Sequence, residues 1–107
     1  MKYLLVILSF FSCELLAGYN ANISGVVTQV LTYTGSDQIL FRLNNQPSSH
    51  PQCNVDFFSI DPSLPADRRS VVLSRLLIAY SSGKPVNIGY DSEGDCSHGR
   101  IRVHRVG

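Results

Sequence analysis

The sequence predicts a mainly β domain, and three observations support this fold class. Short runs of alternating apolar and polar residues recur along the chain, and clusters of Gly, Pro, Asn and Asp separate them. One segment instead carries apolar residues three and four positions apart, which is typical of a helix with one buried face. The resulting order is three strands, a helix and two strands. This is the order of an OB-like five-stranded barrel with one helix between strands 3 and 4.

The first 18 residues have the pattern of a signal peptide. Lys2 is followed by an apolar run over residues 3–11, and the small residues Ala17 and Gly18 indicate a cleavage site. The run is short for a bilayer span, so we expect no transmembrane anchor in the mature chain. Residues 19–107 should then form a single domain. Cys13 leaves two interpretations open, since it lies either in a discarded leader or at a loosely matched lipidation site.

Two strands and a connecting turn are predicted at the start of the mature chain. Residues 20–35 are rich in β-branched side chains, and residues 38–43 alternate in polarity, so the two runs should pair as a hairpin. Gly25 interrupts the first run, which indicates a bulge or a close approach of backbone.

Residues 53–60 form the third strand. Its period of two places Cys53, Val55 and Phe57 on one face, and Asn54, Asp56 and Phe58 on the other. We expect Phe57 to be buried, and Phe58, like Tyr33 and Tyr90, to be exposed.

The helix is predicted over residues 66–82. Ser63 is a candidate N-cap, and Gly83 is a candidate C-terminal cap that Pro85 follows. The apolar face is expected to contain Val72, Leu73, Leu76, Leu77 and Tyr80. Strand 4 is predicted over residues 85–90 and strand 5 over residues 100–106, with Ile101 and Val103 facing inward.

Cys53 and Cys96 are the two cysteines that follow the predicted leader. An even number of cysteines in a small exported domain favours a disulfide, although two buried free thiols remain an alternative. Closing a loop of about 44 residues would stabilise the fold by about 4 kcal/mol in the chain-entropy model. The predicted disulfide also indicates an oxidising location, either the periplasm or the exterior.

The residue patterns favour a protein without catalytic activity, cofactor or metal. Asp95, Ser97 and His98 are the residue types of a hydrolase, but neighbours in sequence rarely orient correctly for catalysis. The acidic loop at residues 91–95 lacks the length and terminal Glu of a calcium-binding EF-hand. The formal net charge of +1 argues against a nucleic-acid-binding protein. The stripe of Arg100, Arg102 and His104 is expected to be an ordinary solvated strand face.

Residues 73–86, Leu-Ser-Arg-Leu-Leu-Ile-Ala-Tyr-Ser-Ser-Gly-Lys-Pro-Val, end the helix and open strand 4. Together with the positions of Cys53 and Cys96, and with residues 24–30, this segment resembles the small exported bacterial proteins typified by the subtilase cytotoxin B subunit. The resemblance implies an OB-fold. In the toxin members five subunits form a ring that binds sialylated or other cell-surface glycans.

The resemblance also implies a site residue. A serine near the start of the first strand contacts the sugar in toxin members, and Ser24 is its nearest counterpart here. The Trp-containing segments of the family are missing, since the chain has no Trp. From the predicted fold and the resemblance together, we expect a noncatalytic exported module that binds a glycan or a protein partner and assembles as a homopentamer. The alternative is a stand-alone periplasmic envelope protein, or a small enzyme or inhibitor.

Overall fold

The structure is a computed structural model that describes residues 19–107. The predicted signal peptide and Cys13 lie outside the described residues. Within residues 19–107 there are seven strands and one helix, which confirms a mainly β domain. The elements are β1 (Ala21–Gly25), β2 (Val27–Thr32), β3 (Ile39–Leu43), β4 (Asn54–Ile60), α1 (Ala66–Ser82), β5 (Val86–Tyr90), β6 (Cys96–Ser97) and β7 (Arg100–Val106).

The strands form one sheet in the order β1-β5-β7-β4-β3-β2, with β6 pairing to β7. All neighbours are antiparallel except β4 and β7, which run parallel. β1 and β2 stand at opposite ends of this order, yet only Val26 separates them in the chain. The sheet must therefore curl until its two ends meet at Val26.

The first predicted strand is thus two strands, because Asn44 holds the chain at Val26. The Val26 N–H donates to the Asn44 side-chain oxygen at 3.0 Å, and the Asn44 N–H donates to the Val26 carbonyl at 2.8 Å. The close approach predicted at Gly25 is made by a side chain and not by backbone, since a Cβ there would collide with the Asn45 side chain. The Asn45 amide donates to the Ser24 carbonyl at 2.9 Å. Hydrogen bonds therefore hold the bend between β1 and β2 on both sides of Gly25, at Ser24 and at Val26.

A second unpredicted strand, β6, results from a tight hairpin with β7. Ser97 pairs with Arg100, leaving His98 and Gly99 as the two central residues of the turn. Both have positive φ, 52° for His98 and 83° for Gly99, as a type I′ hairpin turn requires. Two paired residues inside a polar loop give too short a pattern for sequence periodicity to detect.

Phe41 and Phe58 lie at the centre of the core. Both are fully buried, and their ring centroids are 5.3 Å apart. The prediction that Phe57 faces inward and Phe58 outward is wrong, since Phe57 is only half-buried. The cause is an irregularity in the pairing of β4 with β7, where Asn54 and Phe58 oppose the consecutive residues Arg100 and Ile101. This shift disrupts the period of two on which the prediction depends. Ile101 and Val103 are buried as predicted.

The bounds predicted for α1 are confirmed, but two details of the prediction are wrong. Ser63 does not cap the helix, because Pro65 occupies the N-cap position and no side chain caps it. The face packed on the sheet is narrower than expected. Leu76 and Ala79 are buried and Val72 and Leu73 partly buried, whereas Leu77 and Tyr80 are exposed. Each step along a helix rotates the side chain by about 100°, so Leu77 points away from the sheet that buries Leu76.

Gly83 ends α1 as predicted, with φ of 69° and its N–H donating to the Ala79 carbonyl at 3.0 Å. We expect Gly83→Ala to lower the free energy of unfolding by about 1 kcal/mol. The loss would be conformational, because an added Cβ meets nothing within 4 Å. Gly83→Asn is the matched control and should lose less, since Asn tolerates the left-handed conformation better. Urea denaturation of both variants measures this, and equal losses would contradict the explanation.

The predicted disulfide between Cys53 and Cys96 is present, with the two Cα atoms 5.6 Å apart. Cys53 immediately precedes β4 and Cys96 begins β6. The bond therefore fixes the loop before β7 to the start of the neighbouring strand β4. His50 supports the same corner, since its Nδ1 accepts from the Cys53 N–H at 3.0 Å.

Candidate functional site

Three surfaces carry the predicted site residues or a cavity with polar walls. We call them the Ser24 face, the Asp95 cluster and the Tyr33 pocket.

The Ser24 face is the outer side of β1, β5 and β7. Ser24 is exposed and pairs with Asn87 on β5, and Asn22 points to the same side two residues earlier. Arg105 donates from Nη2 to the side-chain oxygens of both Asn22 and Asn87. Because these oxygens accept from Arg105, the amide nitrogens of both residues remain as donors beside Ser24.

Tyr19 forms the aromatic edge of the Ser24 face. Its ring covers Gly89, where an added Cβ would lie 2.9 Å from the ring edge. The same ring stacks on His104 at 6.0 Å between centroids, and the Arg105 guanidinium lies 5.9 Å from its centroid. Sequence reasoning missed Tyr19, because its place over β5 depends on packing between distant segments. The Ser24 face therefore combines a hydroxyl, two amides and an aromatic ring.

The Asp95 cluster lies on the outer side of β7. The Asp95 carboxylate accepts from Arg102 Nε at 2.9 Å and contacts His104 Nε2, while Arg102 also pairs with Asp61. Arg100 pairs with Asp56 at 2.9 Å. Each basic side chain of the stripe of Arg100, Arg102 and His104 therefore contacts a carboxylate, which Asp56, Asp61 or Asp95 supplies. A cavity of about 250 Å³ beside it is lined by Asp61, Arg102 and His104, whose polar groups already bond one another or Asp95.

The hydrolase-like grouping of Asp95, Ser97 and His98 does not form in the structure. The Asp95 carboxylate bonds Arg102 and His104 instead. The Ser97 hydroxyl is buried and has no hydrogen-bond partner among the described residues, and His98 is exposed in the hairpin turn. These positions place no base within reach of the Ser97 hydroxyl.

The Tyr33 pocket lies between the β2–β3 turn and the first half of α1. It has a volume of about 210 Å³. Tyr33 is one wall and is 46% exposed, and Ile39 and Leu73 supply apolar lining. The opposite polar walls come from Asp37 and Arg69, with Thr32, Ser36, Gln38 and Ser70 completing the polar lining.

Arg69 is held rigidly in this pocket. Its Nη1 donates to the carbonyls of Pro62 at 3.0 Å and Leu64 at 2.7 Å, and its Nη2 lies 3.6 Å from Asp37 Oδ1. The Arg69 side chain is mostly buried, whereas that of Asp37 is exposed. The pocket thus presents a fixed cation beside an accessible carboxylate, and the two charges compensate each other.

Gln38 lines the Tyr33 pocket and is half-buried. Its side-chain Nε2 is buried and has no hydrogen-bond partner within residues 19–107. Sequence reasoning identified Tyr33 as an exposed aromatic but missed Gln38 and Arg69, because the packing of α1 against β2 brings them together.

No group of three or more His, Cys, Asp or Glu side chains is placed to hold a metal ion in residues 19–107. No helix in that range is long and apolar enough to cross a membrane.

Comparison with known proteins gives no further assignment. No protein-family model matches the chain, and neither does any curated protein or solved structure.

Proposed function

We propose that this protein is a noncatalytic, exported carbohydrate-binding module, and that the Tyr33 pocket receives one sugar ring of a glycan. The observation that carries the proposal is the combination of an exposed aromatic wall with the neighbouring charges of Arg69 and Asp37 in one cavity. Ligand sites are typically concave, with apolar walls and a few converging polar groups. The volume of about 210 Å³ is below the range of drug-sized sites, which suits a single ring.

The pocket groups suit a neutral polyhydroxy ligand. The Tyr33 ring offers an apolar surface to the C–H face of a sugar. The exposed Asp37 carboxylate is free to accept from a hydroxyl hydrogen of the sugar. Because Arg69 and Asp37 balance each other, neither an anionic nor a cationic ligand has a net electrostatic advantage.

We infer further that the sheet is an OB-type barrel. β1 and β2 count as one bent strand in this inference, since only Val26 separates them. That strand then pairs with β3 at one end and with β5 at the other, and β7 lies between β5 and β4. The parallel pair of β4 and β7 and the position of α1 between the third and fourth strands support the same assignment.

The proposal places the mature protein in the periplasm or outside the cell. A formed disulfide supports this, because such bonds persist in oxidising compartments. The leader pattern of residues 1–18 supports it independently.

The Ser24 face is the second contact region in this proposal, as the resemblance to toxin B subunits implies for Ser24. Its support is the set of free amide donors on Asn22 and Asn87 beside the Ser24 hydroxyl. The Ser24 face is open, so we expect it to contribute less affinity than the Tyr33 pocket.

A glycan array followed by calorimetry tests the function. We expect Tyr33→Ala to weaken the binding of the best glycan about fivefold, since an aromatic contact in a site is worth about 1 kcal/mol. Tyr80→Ala is the matched control, because Tyr80 is equally exposed but lies outside the pocket. Ser24→Ala should weaken binding less than Tyr33→Ala.

Two results would contradict the proposal. Absence of binding to every glycan would remove the carbohydrate function itself. A larger loss from Ser24→Ala than from Tyr33→Ala would keep the function but move the main site to the Ser24 face.

A further inference from the structure

α1 exposes an unusual amount of apolar surface. Of the six large hydrophobic side chains that are exposed within residues 19–107, four lie on this helix. Val71 is 58% exposed and Ile78 is 67% exposed, while Leu77 and Tyr80 are about half exposed. Val71 and Ile78 are about two turns apart and lie on one side of α1, whereas Leu77 and Tyr80 point to other sides.

Cations accompany these apolar residues. Arg68, Val71, Arg75 and Ile78 recur at intervals of three and four, so they share one side of the helix, and Lys84 follows its C-terminus. We call this set the α1 stripe. Among the described residues, no Asp or Glu carboxylate lies within 4.0 Å of a side-chain nitrogen of Arg68, Arg75 or Lys84. Asp67 is the single acidic residue of α1. The stripe therefore keeps an excess of positive charge.

A groove extends the α1 stripe at its C-terminal end. It has a volume of about 240 Å³ and lies between α1 and the start of β5. Ala79 and Val86 provide buried apolar lining, whereas Arg75 and Lys84 supply cationic groups. Gly107 also lines the groove, next to Arg75. An apolar groove bordered by Arg75 and Lys84 matches a molecule with a hydrocarbon part and an anionic head.

We propose that the α1 stripe binds the surface of a membrane that contains anionic phospholipid. The helix would lie in the plane of the interface, with Val71 and Ile78 entering the acyl boundary. The long side chains of Arg68, Arg75 and Lys84 reach the phosphate level while their stems cover apolar surface. Basic residues near a membrane surface are attracted by its negative potential. The groove beside Arg75 and Lys84 receives one lipid head group.

The charge of the stripe favours lipid over a second copy of the chain. In a two-fold dimer the same surface contacts itself, so the stripe would face its own excess of cations. Like charges across an interface are unfavourable when no acid separates them. Anionic lipid instead supplies the missing negative charge along the whole helix, which is about 26 Å long for its 17 residues.

Vesicle flotation of the purified exported protein tests the proposal. We expect partitioning onto mixed phosphatidylglycerol–phosphatidylcholine vesicles to exceed that onto pure phosphatidylcholine vesicles about tenfold, and to fall as salt is added. Replacing Arg75→Gln together with Lys84→Gln should remove most of this difference. Ile78→Ser should reduce binding to both kinds of vesicle. Arg42→Gln is the charge control, because Arg42 lies on β3, and it should partition like the wild type.

Circular dichroism of each variant shows that a loss of partitioning is not a loss of fold. Equal partitioning onto the two vesicle types, or an unchanged double variant, would overturn the proposal. A wild-type multimer in sedimentation that Ile78→Ser converts to a monomer, without any effect on vesicles, would assign the stripe to a second copy instead. Glycan binding by Tyr33 is measured separately, so failure of one proposal leaves the other intact.

Discussion

Replacing both Cys53 and Cys96 with serine is expected to lower the free energy of unfolding by about 4 kcal/mol. The two cysteines are 43 residues apart and are joined in the structure, so their bond removes much of the conformational freedom of the unfolded chain. Domains of this size have limited total stability, and a loss of this magnitude would leave a large unfolded fraction at 37 °C. Urea denaturation, compared with the wild type before and after reduction, measures the loss.

Ser48→Ala provides the matched control for the disulfide variant. Ser48 is exposed in the loop before Cys53, so its replacement should leave the midpoint of unfolding unchanged. Reduced wild-type protein should unfold near the midpoint of the double variant. A double variant as stable as the oxidised wild type would show that the crosslink does not carry the stability assigned to it.

Phe58→Ala is expected to lower the free energy of unfolding by about 3–5 kcal/mol. Its ring is fully buried between Phe41, at 5.3 Å, and Tyr90, at 5.6 Å between centroids. Removing the Phe58 ring leaves a cavity between the rings of Phe41 and Tyr90, and the curled sheet around this cavity has little freedom to collapse. The change in urea midpoint gives the loss.

Phe57→Ala is the control for this prediction, since it is the same substitution one residue earlier. Phe57 is only half-buried, so its loss should be less than half that of Phe58→Ala. The alternation of residues 53–60 predicts the opposite order. Larger destabilisation by Phe57→Ala would therefore restore the strand facing predicted from the sequence and contradict the pairing of β4 with β7.

Features set by neighbouring residues could be predicted from the sequence. The bounds of α1 follow from its apolar spacing and from Gly83 and Pro85, which act on the local backbone. The disulfide follows from counting the two cysteines after the predicted leader, with no knowledge of the fold. The facing of Phe58 was missed because it depends on a shift between β4 and β7, strands more than 40 residues apart in the chain.

The candidate site was predicted only in fragments for the same reason. Tyr33 was identified by its exposure, whereas Gln38 and Arg69 acquire their roles when the β2–β3 turn packs against α1. Arg69 also needs the carbonyls of Pro62 and Leu64 to hold it in place. Composition and residue spacing do not predict these contacts, because each contact forms only in the tertiary fold.

The position of β7 makes it the strand that joins the two halves of the sheet. β7 follows every other strand of residues 19–107, yet it lies between β5 and β4 and also pairs with β6. In the described sheet, the β2–β3–β4 meander and the pair of β1 with β5 are hydrogen-bonded to each other only through β7. Removal of residues 100–106 would therefore leave two unpaired fragments of sheet, connected by the chain at Val26.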